Sequence, residues 1–584
     1  MVKFTSVIAL AFAGIIAAAP TNSYPHYGRT GDFEAANEKR TNSYPHYGLT
    51  GDFEAANEKR TNSYPHYGLT GDFEALEPGA VGLVTVKNLV EEGFDVTGFE
   101  ASGYIGGVWH YTEEDKTSVL KTTVVNISKE RGCFTDYEFP ESVPSHASAA
   151  DVQRYLESYA QHFDLEKRFR LNTRISKVSY NISTGKWDIE IEGSAVQTFD
   201  KVVVSTGPTS HPNMPKIQHS ELFTGDFIHS RAFKKPELFK GKRVLLIGLG
   251  NTTADTVEAL REYAAAIYIS HSKGVCILPR RDKAGIPSDH SMTLRIFNFL
   301  GFLDQYFPRL SEYMLNKIVI KKQNERFTIR PEYRLSPALS VKSGAVIISD
   351  NLIENFENGV VTSVPATKSI IDGKTVELAD GTRIEVDSII CCTGYRKDFG
   401  IMDRDVDSTR HANQRWAAAE GSFGKPLPRL YQNIFSLDHP GSLAFTGCVA
   451  FVTGAFPLYD LISMVIAQVW SGKSELPPLE EMALSVDEHH DFACTRAEGG
   501  PTLVSWVKQG VWEPWAHKMA GTGISENLDW GWQGWKFWWN NRRFYNLLVN
   551  GIYSPFLFRV FDGKRKKWDG AKEAIERLNA NTTT

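Results

Sequence analysis

The residues best suited to chemistry form a glycine-rich turn, GLGNTTA, between Gly248 and Ala254. The apolar run Arg243–Gly248 leads into it, and a helical pattern follows over Asp255–Tyr263. In such a unit the first glycine allows a tight turn, the second lets the backbone approach a pyrophosphate, and the helix N-terminus offers N–H groups to phosphate oxygens. Thr253 stands where a third glycine is usual. The predicted dinucleotide-binding residues are Gly248, Gly250, Asn251, Thr252, Thr253 and Ala254.

The strand after this helix indicates which nicotinamide cofactor the turn would hold. Ala266–Ser270 reads as that strand, and no Asp or Glu closes it, as a preference for NAD would require. Lys273 follows instead and would meet a 2′-phosphate, which favours NADPH. The alternative is a solvated surface lysine.

A second glycine signature lies earlier in the chain and points to FAD. Gly79 and Gly82 open a helix predicted over Val84–Glu92, and a strand predicted over Asp95–Phe99 ends at Glu100. An acidic side chain 18 residues beyond the last glycine of the signature can take the ribose hydroxyls of FAD. A further glycine turn follows near the flavin phosphates. The predicted FAD-binding residues are Gly79, Gly82, Glu100, Gly106, Gly107 and Trp109.

This second signature lacks its beginning. An apolar strand and a leading glycine should precede Gly79, but the chain has GDFEALEP over Gly71–Pro78 in their place. Glu77 occupies the position of the leading glycine and brings a side chain and a negative charge toward the pyrophosphate. We therefore expect FAD binding to be weakened.

Between the two signatures lie residues that match a known fingerprint. The pattern FxGxxxHxxx(Y/F) of flavin-containing monooxygenases is matched by Phe223, Gly225, His229 and Phe233. The related Baeyer–Villiger enzymes carry Trp at the last position, so Phe233 argues against them. Further segments follow the order of the family: Thr117–Glu130, Val202–Gly207, Cys391–Tyr395, Leu443–Gly447 and Lys566–Ala571. The chain from Gly79 to Ala571 thus resembles the flavin-containing (dimethylaniline) monooxygenases.

The resemblance implies an FAD- and NADPH-dependent monooxygenase. NADPH would reduce FAD, molecular oxygen would add to give a C4a-hydroperoxyflavin, and its distal oxygen would pass to an amine nitrogen or a sulfide. The substrate would be a small molecule or a peptide-derived compound of fungal secondary or peptide metabolism. Asn126 is implied as the catalytic residue beside the flavin, with a strand-end cap as its alternative role.

The resemblance also assigns residues around the cofactors. Gly207 and Gly394 would carry backbone crossings between the FAD and NADP domains, and His229 would fix a loop rather than donate a proton. The helix Leu461–Trp470 would cover the flavin ring, with Asp460 as a pocket residue. The other implied cofactor-binding residues are Thr393 and Gly447.

These motifs need elements to position them, and the downstream pattern alternates strands with helices. The alternation predicts an α/β chain with two Rossmann-like, doubly wound dinucleotide-binding domains, the NADP domain being inserted into the FAD domain. We predict the FAD domain over 76–207 and 393–584, and the NADPH domain over 208–392 with an insertion at 287–350. For the Trp-rich extension Trp530–Phe544 we expect packing against the FAD domain, with a peripheral membrane contact as the alternative.

Composition excludes other classes of protein. A chain of 584 residues exceeds what one core holds, and its 42% hydrophobic and 23% charged residues are typical of globular domains. The net charge of −5 leaves no basic surplus for nucleic acid. The six cysteines show neither metal-ligand nor disulfide-framework spacing, so we predict no metal site. Cys391 and Cys392 lie in an apolar run, which favours packing over redox work.

The first 75 residues point elsewhere. Residues 1–19 carry a lone lysine, an apolar stretch and then small residues, the pattern of a secretory signal peptide. Residues 20–75 repeat a 20-residue unit, TNSYPHYGLTGDFEAANEKR, with too few apolar residues to bury a core, so we predict disorder. Two units end in dibasic pairs suited to a kexin-type protease. The residues of these pairs are Lys39, Arg40, Lys59 and Arg60.

This N-terminal region resembles the fungal precursors of ustiloxin-like cyclic peptides. Its signal implies the secretory pathway, whereas the rest of the chain is typical of a cytosolic or ER-associated protein, so the localisation stays open. We hypothesise that two neighbouring genes are joined near Ala75–Glu77. Two rival interpretations remain: a secreted peptide precursor fused to a flavin-deficient, inactive monooxygenase body, and a folded protein that binds NADPH but not FAD.

Overall fold

The computed structural model describes residues 79–207, 211–342, 346–397, 399–451, 453–529 and 531–580. The predicted signal peptide, the repeats with their dibasic pairs, Glu77 and Trp530 lie outside the described residues. Within the described ranges no helix is both long and apolar enough to cross a membrane.

Helices and strands alternate over most of this length. The α-helices are α1 Ala80–Glu91, α2 Lys129–Gly132, α3 Ala149–His162, α4 Asn251–Leu260, α5 Leu294–Tyr306, α6 Pro308–Arg326, α7 Leu352–Glu357, α8 Gln414–Ala418, α9 Ala455–Trp470, α10 Leu479–Gly499, α11 Gln509–Ala520, α12 Ile524–Leu528, α13 Trp532–Asn540, α14 Arg542–Asn550 and α15 Ala571–Ala580. The strands are β1 Gly98–Phe99, β2 Phe169–Arg170, β3 Ile175–Asn181, β4 Lys186–Ile191, β5 Gln197–Phe199, β6 Val202–Val204, β7 His211–Pro212, β8 Asp226–His229, β9 Arg243–Ile247, β10 Ala266–Ser270, β11 Ile277–Leu278, β12 Ile347–Ile348, β13 Val361–Val364, β14 Thr367–Ile370, β15 Thr375–Leu378, β16 Arg383–Glu385, β17 Ser388–Cys391, β18 Tyr395–Arg396, β19 Leu430–Tyr431, β20 Phe435–Ser436 and β21 Leu443–Phe445.

A five-stranded sheet forms the centre of the middle part of the chain. Its order is β13–β10–β9–β17–β8, and all neighbouring strands are parallel. Val244, Leu245 and Leu246 of β9 are buried because both faces of a parallel sheet are covered. The strand–turn–helix unit predicted here is present, but α4 runs from Asn251 to Leu260 rather than over Asp255–Tyr263, since Gly250 is itself the N-cap.

The parts of the chain on either side form a second parallel arrangement, which is split. β1 pairs with β2, and β6 pairs with β21 at the edge of a sheet ordered β19–β20–β21–β6. In the described part of the chain no ladder joins β1 to β6. A doubly wound sheet has the strand order 3-2-1-4-5. The numbers in this order count the strands along the chain. β1 and β2 are then strands two and three, and β6 and β21 are strands four and five. The place of strand one has no described strand.

Two predicted boundaries near this split were wrong. The strand predicted over Asp95–Phe99 comprises only Gly98–Phe99, because ladder hydrogen bonds reach it from one side alone. The helix predicted over Val84–Glu92 already begins at Ala80, directly after its N-cap Gly79. The glycine signature therefore lies inside the first turn of α1.

The predicted alternation of strands and helices was also incomplete. Two antiparallel three-stranded sheets, β3–β4–β5 and β14–β15–β16, interrupt it. The first shares a core with β6 and β21, in which Trp187 and Phe445 are almost fully buried. Short hairpin connections join the strands within each of these sheets. The alternating pattern of strands and helices does not indicate such local pairs.

The predicted insertion contains the antiparallel pair α5 and α6, and the Trp-rich extension forms α13 and α14. We expected the extension to pack against the FAD domain. This prediction was wrong for three of its tryptophans. Trp532, Trp535 and Trp539 are 85%, 49% and 66% exposed. Only one face of a nine-residue helix can pack, and in α13 Phe537 supplies part of that face by contacting Phe561.

Candidate cofactor sites and active-site cavity

Gly248 and Gly250 differ sharply in what surrounds them. Gly248 directly follows β9 and has a φ of +106°, and a Cβ atom there would lie 2.6 Å from the carbonyl oxygen of Cys392. Only glycine fits this position. A Cβ atom on Gly250, the N-cap of α4, would meet no atom within 4 Å. Open space above a helix N-terminus is what a closely approaching phosphate needs.

Two side chains of the turn hold its shape. Thr253 is fully buried, and its Oγ1 donates to the carbonyl of Gly248 at 3.0 Å and accepts from the N–H of Gly250 at 3.3 Å. Its hydroxyl thus ties the first turn of α4 to the glycine turn after β9. Asn251 accepts a hydrogen bond from the N–H of Ile348 through Oδ1 at 2.9 Å, which ties the turn to β12.

The remaining residues predicted for this site lie around the start of α4. Ala254 is buried against the sheet, whereas Thr252 is exposed. The first turn of α4 carries no acidic residue that would repel a phosphate. Lys273 is exposed just beyond β10, so its contact with a 2′-phosphate stays a prediction.

The two glycine turns predicted for FAD lie against each other. A Cβ atom on Gly79 would lie 3.4 Å from the Cα atom of Gly107. Gly106 has a φ of +124°, and a side chain there would overlap the amide of Gln153. Among the described residues no side chain caps the N-terminus of α1, which leaves its first N–H groups available to a pyrophosphate. This cradle fits the phosphates of FAD.

Other predicted FAD residues lie around this cradle. Glu100 follows β1 and is buried, and its carboxylate accepts a hydrogen bond from the N–H of Ser102. Trp109 meets Phe456 of α9 edge to face, with 6.3 Å between the ring centroids. Gly82 is buried within α1. These positions agree with a flavin-nucleotide site at the start of α1.

The prediction that Asp460 lines a pocket was wrong. Asp460 is fully buried, and its carboxylate accepts hydrogen bonds from Asn88 Nδ2 at 2.8 Å and from the N–H and hydroxyl of Thr135 at 2.9 and 2.8 Å. Because α9 packs this face directly against α1, the carboxylate serves the helix contact rather than a ligand.

Gly207 and Gly394, which were predicted at the backbone crossings, lie where the middle part of the chain joins the parts before and after it. A Cβ atom on Gly447 would lie 3.4 Å from the backbone of Gly207. Thr393 donates through Oγ1 to the carbonyl of Asn213 at 2.6 Å, and the carbonyl of Gly394 accepts from the N–H of Asn213 at 2.9 Å. β7 and β18 pair at the same place. The two chain crossings are thereby held together.

Three residues of the fingerprint support the five-stranded sheet. A Cβ atom on Gly225 would lie 2.2 Å from the carbonyl oxygen of Asp387, so the chain there passes too closely for any side chain. Phe233 is 1% exposed and packs on Phe239 with 5.3 Å between ring centroids. Phe223 is partly buried against the same sheet.

His229, the fourth residue of the fingerprint, links β8 to the crossing. Its Nδ1 accepts from the N–H of Arg231 at 3.1 Å, so the proton is on Nε2, which donates to the carbonyl of Gly394 at 3.0 Å. Burial lowers the pKa of His229 to about 4. The imidazole is therefore neutral at pH 7 and holds two loops in place.

We predict that His229 makes the protein less stable in acid. A pKa of about 4 in the folded state lies below the unfolded value of 6.5, so the folded state resists protonation. The stabilisation is complete above pH 6.5 and is lost as the pH falls toward 4; it amounts to roughly 3 kcal/mol over that window. Urea denaturation at several pH values measures it.

The His229→Gln variant provides the comparison. It should be less stable than the parent at pH 8 but should lose less stability between pH 6.5 and 4. His489, which also has a pKa of about 4, titrates in both proteins and so cancels. Equal acid slopes for the two proteins would contradict the role of His229.

A cavity of about 2120 Å³ lies between the insertion, the Trp-rich extension and the segment that carries Asn126. Arg280 donates to Asn126 Oδ1 at 2.9 Å and to the carbonyls of Val124 and Val125 at 3.0 and 3.1 Å. Arg280 is itself anchored by Asp350. No described residue accepts a hydrogen bond from the Nδ2 group of Asn126, so its two donors are available to a ligand in the cavity.

The sequence analysis missed the polar residues around Asn126. His146, Asp289 and His290 line the same cavity, and Glu130 lies 3.4 Å from His290. Burial disfavours ionisation of Glu130, but hydrogen bonding to His290 and further hydrogen bonds outweigh it and lower its pKa. Among the described residues, His146 Nδ1 and Asp289 Oδ1 have no hydrogen-bond partner. No spacing signal could reveal this cluster, because its members come from distant segments.

The adjacent cysteines are packed rather than reactive. Cys391 is buried in β17, and burial raises its pKa to about 12 and that of Cys392 to about 11. Both thiols are therefore protonated at pH 7. All six cysteines are free.

Two glycine-lined nucleotide cradles and a large cavity beside Asn126 suit an enzyme that uses two dinucleotide cofactors. The FMO-like profile, described as flavin-binding monooxygenase-like, matches residues 74–579, so the chain belongs to that family. Monooxygenase aurF of Gibberella zeae is 41% identical over 508 residues, which cover 86% of this chain and 96% of that protein. Human flavin-containing monooxygenase 3 is 31% identical over 422 residues, which cover 70% of this chain and 75% of that protein.

Solved structures show the same fold. S-allyl-L-cysteine S-oxygenase from Allium sativum is 21% identical, with a TM-score of 0.54 over 76% of this chain and 87% of that one. Cyclohexanone monooxygenase from Rhodococcus sp. Phi1, bound to NADP⁺, is 17% identical, with a TM-score of 0.55 over 77% and 96% of the two chains. The family is described as flavin-binding, and the Rhodococcus cyclohexanone monooxygenase and a steroid monooxygenase were solved with NADP bound. The described cradles fit FAD and NADP(H).

Proposed function

We propose that this protein uses NADPH, FAD and molecular oxygen to oxygenate a nitrogen or sulfur atom of an organic substrate. The single observation that carries the proposal is the position of Asn126 at the large cavity, braced by Arg280. Bound FAD supplies the oxygen activation. The contribution of the chain is to hold both nucleotides, to exclude water and to place hydrogen-bond donors where the substrate reacts.

We assign one cofactor to each of the two cradles described above. The turn at Gly248–Ala254, with Lys273, binds NADPH, and the glycine turns around Gly79 and Gly107 bind FAD. The domain boundaries proposed from the sequence, 76–207 with 393–584 and 208–392, assign one cradle to each domain. The fingerprint residue Phe233 favours oxygenation of nitrogen or sulfur over Baeyer–Villiger chemistry, because those enzymes carry Trp there.

The cavity supports a substrate larger than a simple amine. Its volume of about 2120 Å³ exceeds the usual range for small-molecule sites, about 300–1,000 Å³, although part of it must accept the nicotinamide end of NADPH. Ten basic and five acidic side chains are among the described residues that line it. This excess of positive charge favours an anionic substrate. The relationship to a fungal monooxygenase favours a compound of fungal secondary metabolism.

Steady-state assays on the purified full-length protein test the proposed function. The protein is loaded with FAD and supplied with NADPH and oxygen, and three probes are compared: N,N-dimethylaniline, methyl p-tolyl sulfide and cyclohexanone. We expect NADPH oxidation with formation of the N-oxide or sulfoxide. Lactone formation from cyclohexanone in their place, or no NADPH oxidation after FAD loading, would contradict the proposal.

We predict that Asn126→Ala uncouples NADPH oxidation from product formation. Loss of the two Nδ2 donors should lower the amount of oxygenated product per NADPH by about a hundredfold, as for other single donors at reacting oxygens. NADPH oxidation should persist, with hydrogen peroxide as the other product. The test is parallel measurement of product, peroxide and NADPH. Asn126→Asp is the matched variant, since it keeps the shape but removes the donors.

We propose a separate role for the N-terminal repeats, as a peptide precursor cleaved at the two dibasic pairs. Support comes from the fixed 20-residue period and from the pairs Lys39–Arg40 and Lys59–Arg60. Mass spectrometry of the protein after incubation with a kexin-type protease should show cleavage after Arg40 and Arg60. Resistance of both sites would exclude this second role.

A further inference from the structure

His146 and Asn126 face each other across a short antiparallel contact. Val124 pairs with Ser148 in antiparallel orientation, and the next residues continue the pairing with an N–H···O bond of 3.0 Å. One further step along this register sets Asn126 opposite His146. Residues directly opposite in an antiparallel pair project from the same face, with Cβ atoms about 4.5–5.5 Å apart. Both side chains accordingly line the large cavity.

His146 brings a neutral imidazole to this wall of the cavity. The residue is 9% exposed, and its buried Nδ1 has no hydrogen-bond partner among the described residues. Burial lowers the pKa of His146, although the charge of Asp289 acts in the opposite direction. The other charged groups that face it are Arg280, Arg281 and Asp350. The neutral ring offers one acceptor nitrogen and one donor nitrogen.

Asp289 brings a second unsatisfied acceptor to the same wall. It lies in the short 3₁₀ turn Ser288–Ser291 and lines the cavity. Its Oδ2 accepts from the N–H of Ser128 at 2.9 Å, and its backbone carbonyl accepts from Arg131 Nη1 at 3.2 Å. Its buried Oδ1 has no partner within the part of the chain that the structure describes. One carboxylate oxygen therefore holds the side chain in place, and the other is available to a ligand.

These side chains present complementary groups to one ligand. Asn126 donates through Nδ2, whereas an ionised Asp289 only accepts and His146 accepts through one nitrogen. His290 instead contacts Glu130 at 3.4 Å. Buried polar atoms are nearly always hydrogen-bonded, so unsatisfied acceptors at a cavity wall indicate a ligand with a matching donor. An amine nitrogen that bears hydrogen has such a donor, but a tertiary amine or a sulfide has none at the reacting atom.

We propose that His146 and Asp289 determine specificity, by selecting substrates whose reacting nitrogen carries an N–H group. The inference rests on the proposed function. As the N–O bond forms, the N–H bond breaks and its electron pair stays on nitrogen. His146 takes the proton and returns it to the new oxygen. A secondary amine, O₂, NADPH and one proton thus give an N-hydroxy product, NADP⁺ and water.

N-methylaniline and N,N-dimethylaniline are matched probes for this proposal. Both are largely unprotonated at neutral pH, and they differ only by a hydrogen or a methyl group on nitrogen. With the full-length protein loaded with FAD, kcat/KM for N-methylaniline should exceed that for N,N-dimethylaniline by about tenfold or more. Isothermal titration without NADPH should show the same preference in Kd. Equal kcat/KM values for the two probes would overturn the proposal.

Two substitutions test the residues themselves. His146→Phe keeps a ring but removes the acceptor, and Asp289→Asn keeps the bond to Ser128 but turns an NH₂ group toward the cavity. Each should lower the ratio of kcat/KM for the two anilines by about tenfold, whatever change both probes share. His411→Phe, at an exposed histidine, is the control and should leave this ratio unchanged.

The two substitutions are independent of each other. If His146→Phe does not fold, Asp289→Asn and the ratio in the parent protein decide. A parent ratio that persists in variants that retain FAD would overturn the assignment of these residues.

The outcomes also separate this inference from the proposed function. Tighter binding of N-methylaniline that both substitutions abolish, without NADPH-dependent product from any probe, would support the N–H site and contradict the proposed oxygenation. Oxygenation of both anilines with the same ratio in the parent and in both variants would overturn the N–H site and support the oxygenation.

Discussion

Replacing Gly248 with alanine is expected to destabilise the protein by about 2 to 4 kcal/mol and to abolish NADPH-dependent turnover. The new Cβ atom would lie 2.6 Å from the carbonyl oxygen of Cys392, and the backbone φ of +106° is one that side chains rarely adopt. β9 and β17 must therefore move apart at the point where the NADPH turn begins. Urea denaturation and NADP⁺ titration measure both effects.

Gly250→Ala is the matched comparison. Its Cβ atom meets no atom within 4 Å, so the stability of the cofactor-free protein should stay within about 0.5 kcal/mol of the parent value. The same atom occupies space needed by the pyrophosphate, so the Kd for NADP⁺ should rise at least about tenfold. A stable Gly250→Ala protein with unchanged NADP⁺ affinity would show that the cofactor does not approach this turn.

Arg559→Met should destabilise the protein by about 3 to 5 kcal/mol, the cost of breaking a buried ion pair. Arg559 is 1% exposed and lies 2.8 Å from Glu91 and 3.4 Å from Asp136. It also donates to Asn88 Oδ1 at 2.6 Å and to Thr135 Oγ1 at 3.1 Å. Without it, Lys87 is the remaining cation that pairs directly with both carboxylates, and the buried Arg565 nearby adds a further attraction to Asp136. Urea denaturation at pH 7 measures the loss.

Two further variants calibrate this result. Arg415→Met removes an arginine that pairs with Glu498 at the surface, and should cost less than about 1 kcal/mol. In the Arg559→Met background, Glu91→Gln should restore part of the stability, because it removes an uncompensated charge. A loss for Arg559→Met no larger than that for Arg415→Met would mean that the buried network does not hold α1 to the C-terminal part.

The parts of the fold that the sequence predicted well are those encoded by neighbouring residues. The apolar strand, the turn at Gly248 and the following helix occupy one short segment, so their types and spacing suffice. β10 begins and ends at the predicted residues Ala266 and Ser270. Family membership was likewise predictable, because the fingerprint from Phe223 to Phe233 is contiguous and is confirmed by the match over residues 74–579.

Contacts between distant segments were beyond prediction. Asp460 was expected in a pocket, but its partners Asn88 and Thr135 lie more than three hundred residues earlier in the chain. Nothing in the sequence pattern singled out Arg280, because an isolated arginine in a loop belongs to no motif. The antiparallel sheets were missed for a related reason: each is stabilised by pairing with its neighbours and by burial in a shared core.

The brace between Arg280 and the Val124–Asn126 segment makes two stretches of chain one functional unit. Arg280 belongs to the middle part of the chain, whereas the segment it holds precedes that part by about 150 residues. Recombination between related enzymes must therefore exchange Arg280, Asp350 and the segment together, or the resulting hybrid loses the orientation of Asn126. Substitutions at Asn126 and Arg280 should accordingly be non-additive in a double-mutant cycle.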